Sequence, residues 1–241
     1  PVYPTAHYSM GGIPTNRFGQ VVAPVQTGPE EPVPGLYAAG ECACVSVHGA
    51  NRLGGNSLLD IVVFGRAAGN HILEMLKEYR YHRPTPNAAV DTVLERLQRW
   101  DRKGDGESVD VLRDEMQRLM EKHCGVFRTG KVMADGIKKL EALARRLPDT
   151  VLRDHSRVFN TARIEALELE NLMDVALATI HSAAARQESR GAHTRLDFPK
   201  RDDMQWLKHT LYNRDGRRLD YKPVRMKPLT VDPFPPKERV Y

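Results

Sequence analysis

Cysteine is scarce in this chain of 241 residues, which has only Cys42, Cys44 and Cys124. Three thiols cannot make a disulfide framework, and no CxxC or Cys/His spacing offers a metal site. Free thiols buried as small apolar groups, and a reducing compartment, are the expectation. Cys42 and Cys44 flank Ala43, so in a strand they would share a face. Long apolar runs are also missing. The longest, residues 58–64, is broken by Asp60 and followed by Gly65-Arg66, far short of the roughly 18 residues that suggest a membrane span. No signal-peptide pattern is visible. There is no basic face either. The net charge of +5 comes from 36 Lys and Arg dispersed among 31 Asp and Glu. Without a concentrated patch and base-stacking aromatics, nucleic-acid binding is not expected. A GxGxxG fingerprint is lacking, because Gly65-Arg66-Ala67-Ala68-Gly69 falls inside a helical pattern and not between strand and helix. Internal repeats are absent.

What is present fits a soluble globular chain, with 41% hydrophobic and 28% charged residues. The length allows one large domain or two small ones. Residues 1–80 hold most of the glycine and short β-like runs, with a strand expected at Val21-Val22-Ala23-Pro24-Val25. Pro32-Val33-Pro34-Gly35 reads as a turn leading into a strand at residues 36–39. From Asn56 the pattern becomes helical. Asn56 or Ser57 is the expected N-cap, and Leu58, Leu59, Val62, Val63, Ala67 and Ile72 form an apolar stripe. Residues 81–86 carry two prolines and read as a linker. Beyond it, Val90, Val93, Leu94 and Leu97 repeat at helical spacing, as do Val109, Leu112, Met116, Leu119 and Met120. A third run, Ile137, Leu140, Leu143, Ala144 and Leu147, stops at Pro148. A fourth covers residues 162–187 with Ile164, Leu167, Leu172, Val175, Leu177 and Ile180. Such stripes with short connections make a small helical bundle. Met116, Met120 and Met173 are expected to fill core gaps. The last stretch, residues 217–241, has five prolines, which points to a small β-like or extended tail.

Chemistry concentrates after residue 40. Glu41 ends a strand of small residues, where a carboxylate can bond a ribityl or ribose hydroxyl, or simply face solvent. Arg52 lies among Gly49, Gly54 and Gly55. These glycines let backbone approach a ligand, and a guanidinium grips a carboxylate bidentately, although a surface arginine fits the spacing as well. Ser57 and Leu58 open the helix, whose free N–H groups and positive dipole end suit an anionic ring system or phosphate. His7 can donate to a substrate carboxylate or play a structural part, and His48 is a rival within the loop.

The run His48-Gly49-Ala50-Asn51-Arg52-Leu53-Gly54-Gly55-Asn56-Ser57-Leu58-Leu59-Asp60, with Val62-Val63-Phe64-Gly65-Arg66, Glu188-Ser189-Arg190-Gly191-Ala192-His193 and Phe234-Pro235-Pro236-Lys237, closely resembles the succinate dehydrogenase (respiratory complex II) flavoprotein family. The resemblance covers nearly the whole chain and is to the family's C-terminal part. It implies an α+β fold. Residues 1–80 would be the remainder of an FAD-binding α/β domain, with the edge of a capping domain at 1–15. Residues 81–195 would be a helical bundle domain and 196–241 a small β-like or extended C-terminal domain.

It further implies that His7 and Arg52 bind the dicarboxylate and that Glu41, Ser57 and Leu58 contact FAD. The Arg190 and His193 segment resembles one that packs the helical domain onto the flavin domain. The family oxidises succinate to fumarate and passes electrons to an iron–sulfur subunit and on to quinone in membrane anchor subunits. That implies a peripheral position at the cytoplasmic face of a bacterial inner membrane or the matrix face of a mitochondrial one. The flavin-linking histidine, the dinucleotide fingerprint and the proton-shuttling arginine of the family have no counterpart here, so no catalytic residue is assigned. Pro1-Val2-Tyr3-Pro4 reads as interior sequence, so these parts are expected upstream of Pro1, and the chain alone is expected to be inactive. Fumarate reductase and L-aspartate oxidase flavoproteins have similar loops, although Gly54-Gly55 and Leu58-Leu59-Asp60 favour the succinate dehydrogenase branch. A non-catalytic helical assembly module, residues 83–195, is the alternative of another class.

Overall fold

The computed structural model describes residues 7–23, 30–79, 81, 84–235 and 237. Its architecture is α+β, rich in helix with small two-stranded sheets. β1 (Ile13–Pro14) pairs in parallel with β4 (Ala43–Cys44). β2 (Gln20–Ala23) pairs antiparallel with β3 (Glu31–Tyr37), with a register shift between Gln20 and Val22. The expected turn at Pro32 to Gly35 is therefore strand, and the strand ends before Ala38. Both strands of a two-stranded ribbon are edges, where proline is tolerated. Pro24 and Val25, expected in strand, lie outside the described residues, as do His82 and Arg83 of the expected linker and Pro236 near the end.

α1 (Asn56–Glu78) follows a glycine-rich loop. Its N-cap is Gly55, in the left-handed region at φ 79°, and neither Asn56 nor Ser57 caps by side chain as expected. The apolar stripe is helical but uncovered: Leu58, Leu59, Val62, Val63 and Leu73 are each more than half exposed, and the buried residues of α1 are Asp60 and Ala68. α2 (Asn87–Gln98) likewise has no buried residue.

The core lies among α3 (Val109–Cys124), α4 (Gly130–Arg146) and α5 (Thr161–Ala185). Val109, Leu112 and Met116 of α3 share the core with Leu140 and Leu143 of α4, as their spacing predicts, and with Met133, which lies before the expected run; Ile137, Ala144 and Leu147 are partly buried. Met173 is core, and Met120 packs partly buried against it. On α5 the buried face is Ala166, Leu169, Met173, Ala176, Leu177, Ile180 and Ala183, while Ile164, Leu172 and Val175 point outward. The helix is apolar on nearly every side, so spacing alone did not select the seam. The buried seam mixes Leu169, Met173, Leu177 and Ile180 with alanines, and α4 makes room for it at a glycine. A Cβ on Gly136 of α4 would lie 2.4 Å from His123 Cβ and 2.8 Å from Ile180 Cδ1. Thr129 caps α4 by accepting from Val132 N at 3.3 Å, and Asn160 caps α5 by accepting from Arg163 N at 2.7 Å.

Two further pairings close the chain back on the bundle. β5 (Phe127–Arg128) runs parallel to β6 (Thr194–Arg195), which precedes the short helix α6 (Asp203–Trp206). β7 (Lys208–Asn213) and β8 (Arg218–Pro223) form the β-like part of the tail, and the described residues beyond it carry no helix or strand. No helix among the described residues is long and apolar enough to cross a membrane.

Candidate functional site

The turn between β3 and β4 packs closely on its neighbours, whereas Gly49, Gly54 and Gly55 of the loop that follows β4 face open space. Gly40 has φ 78°, and a Cβ there would lie 2.8 Å from Ile61 Cγ2, so the turn after β3 sits directly on α1. Next comes Glu41, which is exposed. Its Oε1 accepts the N–H of Ser9 at 2.9 Å, tying the His7 segment to this turn. Gly12 strengthens the tie, since a Cβ on it would meet the Cys42 carbonyl at 2.5 Å. His7 itself is exposed. Cys42 is exposed as well, against the expectation of a buried thiol, whereas Cys124 is buried and Cys44 half-buried. In a strand of only two residues, ending at Cys44, alternation does not govern Cys42.

Arg52 is half-buried. Its Cζ lies 4.8 Å above the Tyr8 ring, its Nη1 donates to the Leu53 carbonyl at 3.2 Å, and its Nε is buried without a partner among the described residues. Tyr8 thus brings the segment that carries His7 against Arg52, while the exposed His7 side chain makes no hydrogen bond or ion pair among the described residues. Beneath Tyr8 and Arg52 lies a pair of which only His48, the rival to His7, stood out in the sequence. His48 Nε2 is 2.8 Å from Asp60 Oδ2 and 3.5 Å from the Tyr8 hydroxyl. Burial raises the Tyr8 phenol pKa, with the Asp60 and Glu41 carboxylates adding to the shift. A lone carboxylate inside Leu58-Leu59-Asp60-Ile61-Val62 was the available signal for Asp60. For Tyr8 there was none beyond adjacency to His7.

At the start of α1, Leu58 N donates to the Gly55 carbonyl at 3.1 Å, so that N–H is not free as expected. The N–H of Ser57 has no backbone partner among the described residues. The Leu58 side chain is exposed.

The Glu188 to His193 segment docks onto the same loop. Ala192 N donates to Ala50 O at 2.9 Å, and Gly191, at φ 58°, leaves only 2.4 Å between its Cβ position and that oxygen. The segment is anchored at its base. Arg195, 2% exposed, donates to the Ala183, Ala184 and Arg186 carbonyls at the end of α5 and bidentately to Asp197, which accepts from Gly130 N at the start of α4. The guanidinium beside Asp197 holds its carboxyl well below the usual range.

His193 accepts from Arg128 Nη1 at Nδ1 (2.9 Å) and donates from Nε2 to the Arg186 carbonyl (3.1 Å), so its ring is neutral. Burial, with Arg128, Arg195 and Arg186 nearby, pushes its pKa down from 6.5 to about 4. The unfolded chain therefore binds the extra proton first, and stability present above pH 6.5 is lost as pH falls toward 4. His209, also depressed by burial and by Lys222 and Arg186, acts in the same direction. Urea midpoints measured between pH 6.5 and 4 should fall with acidification, and His193→Gln should flatten part of that slope. An unaltered slope in the variant would show that His193 is not the group responsible.

Among the described residues no group of His, Cys, Asp and Glu is arranged to hold a metal ion. The family described as "Fumarate reductase flavoprotein C-term" matches residues 113–241, and an FAD binding domain matches residues 1–58. The chain is 54% identical over 239 residues to a succinate dehydrogenase flavoprotein subunit of Coxiella burnetii, covering 99% of this chain and 40% of that one. It is 47% identical over 245 residues to the mitochondrial succinate dehydrogenase [ubiquinone] flavoprotein subunit of Oryza sativa, covering 100% and 39%. A solved structure of E. coli quinol fumarate reductase superposes with TM-score 0.84 at 41% identity, covering 98% of this chain and 39% of that one. The chain belongs to the succinate dehydrogenase and fumarate reductase flavoprotein family, and spans about 40% of the length of the curated relatives it matches.

Proposed function

We propose that this chain is the carboxyl-terminal part of a succinate dehydrogenase flavoprotein subunit, which oxidises succinate to fumarate. The observation that carries the reading is the half-buried Arg52, with its unpartnered Nε, held beside the first turn of α1 in a glycine-rich loop. That arrangement fits one carboxylate of a dicarboxylate. The exposed Leu58 side chain, the open Ser57 N–H and the Glu41 carboxylate fit the ring and ribityl end of FAD, while nothing among the described residues cradles a pyrophosphate. FAD, when bound, supplies the hydride acceptor. The work of this chain is to hold and to orient. Arg52 and His7 fix the substrate carboxylates, and such positioning supplies several kcal/mol of a barrier. The N-terminal turn at Ser57 favours negative charge placed against it. No proton-moving residue is assigned within the chain.

On this reading residues 1–80 complete an FAD-binding domain whose capping edge is 1–15, residues 81–195 are a helical domain and 196–241 a C-terminal one. The uncovered apolar face of α1 supports a larger domain around it. Electrons would leave through an iron–sulfur subunit to quinone in membrane anchors, with the subunit peripheral to the membrane, at the cytoplasmic face in bacteria or the matrix face in mitochondria. Fumarate reduction through the same site is the second reading, favoured by the 42% identity to a fumarate reductase flavoprotein subunit of Mycobacterium tuberculosis.

The test is dicarboxylate protection of a full-length flavoprotein carrying this segment. Malonate at about one hundred times its Kd should add about 2.7 kcal/mol to stability. No shift in melting temperature with malonate would sink the enzymatic reading in favour of an assembly module. Glu41→Ala should in addition lower flavin incorporation several-fold, since a charge-assisted hydrogen bond that seats FAD before it is linked is lost, read as the ratio of flavin to protein absorbance. Full flavin loading in that variant would remove Glu41 from the cofactor site.

A further inference from the structure

The pair beneath Arg52 has no part in the reading above. Asp60 is 4% exposed, in a turn of α1 whose neighbours Leu59 and Ile61 face outward. A buried carboxylate on such a helix is costly and is retained where a structure needs it. Its Oδ2 lies 2.8 Å from His48 Nε2, so that nitrogen carries its proton toward Asp60. This bond sets the plane of the imidazole. The Tyr8 ring then meets the imidazole at 77° with centroids 5.4 Å apart. The Arg52 guanidinium rests on the Tyr8 ring at 4.8 Å. Apart from that face it has one polar contact, the Leu53 carbonyl at Nη1, so its Nε–Nη2 edge makes no hydrogen bond among the described residues. That edge is the side-on fork that pairs with a carboxylate.

We propose that Asp60 and His48 are positioning residues, and Tyr8 the surface they hold, for presenting the Nε–Nη2 edge of Arg52 to a substrate carboxylate. The contacts run from Asp60 to His48, to Tyr8 and to Arg52, so a change at the buried end is felt at the guanidinium. A pair kept for stability alone would satisfy its remaining atoms, yet His48 Nδ1 and Asp60 Oδ1 are buried without partners among the described residues. This role presupposes that Arg52 holds a substrate carboxylate.

The experiment uses a full-length, flavin-loaded subunit carrying this segment, with the KM for succinate, kcat and the Kd of malonate as readouts. Asp60→Ala and Tyr8→Leu should each raise KM and malonate Kd about tenfold, the size of a desolvated cation–π contact, with a smaller change in kcat. Tyr8→Phe keeps the ring face and should recover most of the loss seen in Tyr8→Leu. Asp60→Asn keeps an acceptor for the Nε2 proton and should recover part of the loss in Asp60→Ala. If Asp60→Ala fails to fold, Tyr8→Leu and Tyr8→Phe decide, because Tyr8 is only half-buried. Arg52→Lys is measured in parallel. If it raises KM while Tyr8→Leu and Asp60→Ala leave KM and malonate Kd unchanged, the positioning role is overturned and the carboxylate role of Arg52 stands. If none of the three moves either value, the carboxylate role fails as well.

Discussion

Arg52→Ala should lower kcat/KM for succinate by about a hundredfold, the loss typical of removing one member of a desolvated charge pair, while leaving flavin content unchanged. Three features set the size of this effect. Arg52 is half-buried, so its pairing with a carboxylate is less screened than on an open surface. The Tyr8 face and the Leu53 carbonyl pre-orient it, so little entropy is lost when the substrate arrives. Nothing else among the described residues stands to replace its charge at the loop, because Arg66 and Arg190 lie on other elements and Arg190 is committed to Glu188 and Asp203. Arg52→Lys should recover little, since an ammonium cannot form the two parallel bonds of a guanidinium. Malonate binding should weaken together with turnover. Normal kcat/KM in a flavin-loaded Arg52→Ala subunit would remove Arg52 from the substrate site.

Much of the scaffold around that site was legible in the chain because its determinants are local. Val109, Leu112 and Met116 repeat at helical spacing, and they are buried. Pro148 ends the run of α4 as a breaker should, after a 3-10 turn begins at Leu147. Where determinants are non-local, the reading went astray. Val175 and Ile164 look like core but face outward, because the bundle takes the face of α5 that carries Leu169, Met173 and Ile180. Pro32 and Pro34 look like a turn, but β2 across the ribbon makes them strand. At the site, Gly49, Gly54 and Gly55 around Arg52 face open space, and the close approaches fall at Gly12 and Gly191 instead. The partnership of His48 with Asp60, twelve positions apart, depended on how the loop folds back over α1. The docking of Gly191 on Ala50 spans far more sequence, and its signal was the family resemblance of the Arg190 and His193 segment and not any spacing.

That docking underlies the second large effect: Glu188→Ala should destabilise the protein by about 3 kcal/mol, the lower end for breaking a buried ion cluster. Glu188 is 0% exposed. Burial works against its anion, but Arg190, the N–H of Asp202 and Arg186 outweigh it and hold the pKa below the ordinary glutamate value. The bonds are 2.8 and 2.9 Å from Arg190, 2.9 Å from Asp202 N and 2.6 Å from Arg186 Nη1. Removing the carboxylate leaves two guanidiniums facing each other with one fewer counter-charge, so the loss exceeds a simple hydrogen-bond deletion. The contrast is Arg146 with Glu107 and Glu115, whose side chains are 33–42% exposed, a pairing worth at most about 1 kcal/mol. Urea unfolding of Glu188→Ala and Arg146→Ala would rank the two. Because residues 189–193 carry the bond from Ala192 to Ala50, the Glu188 variant should also lose malonate affinity well below its melting temperature. A Glu188→Ala protein with unchanged stability would show that the arginines find other partners, and that the segment is held by Arg195 and Asp197 instead.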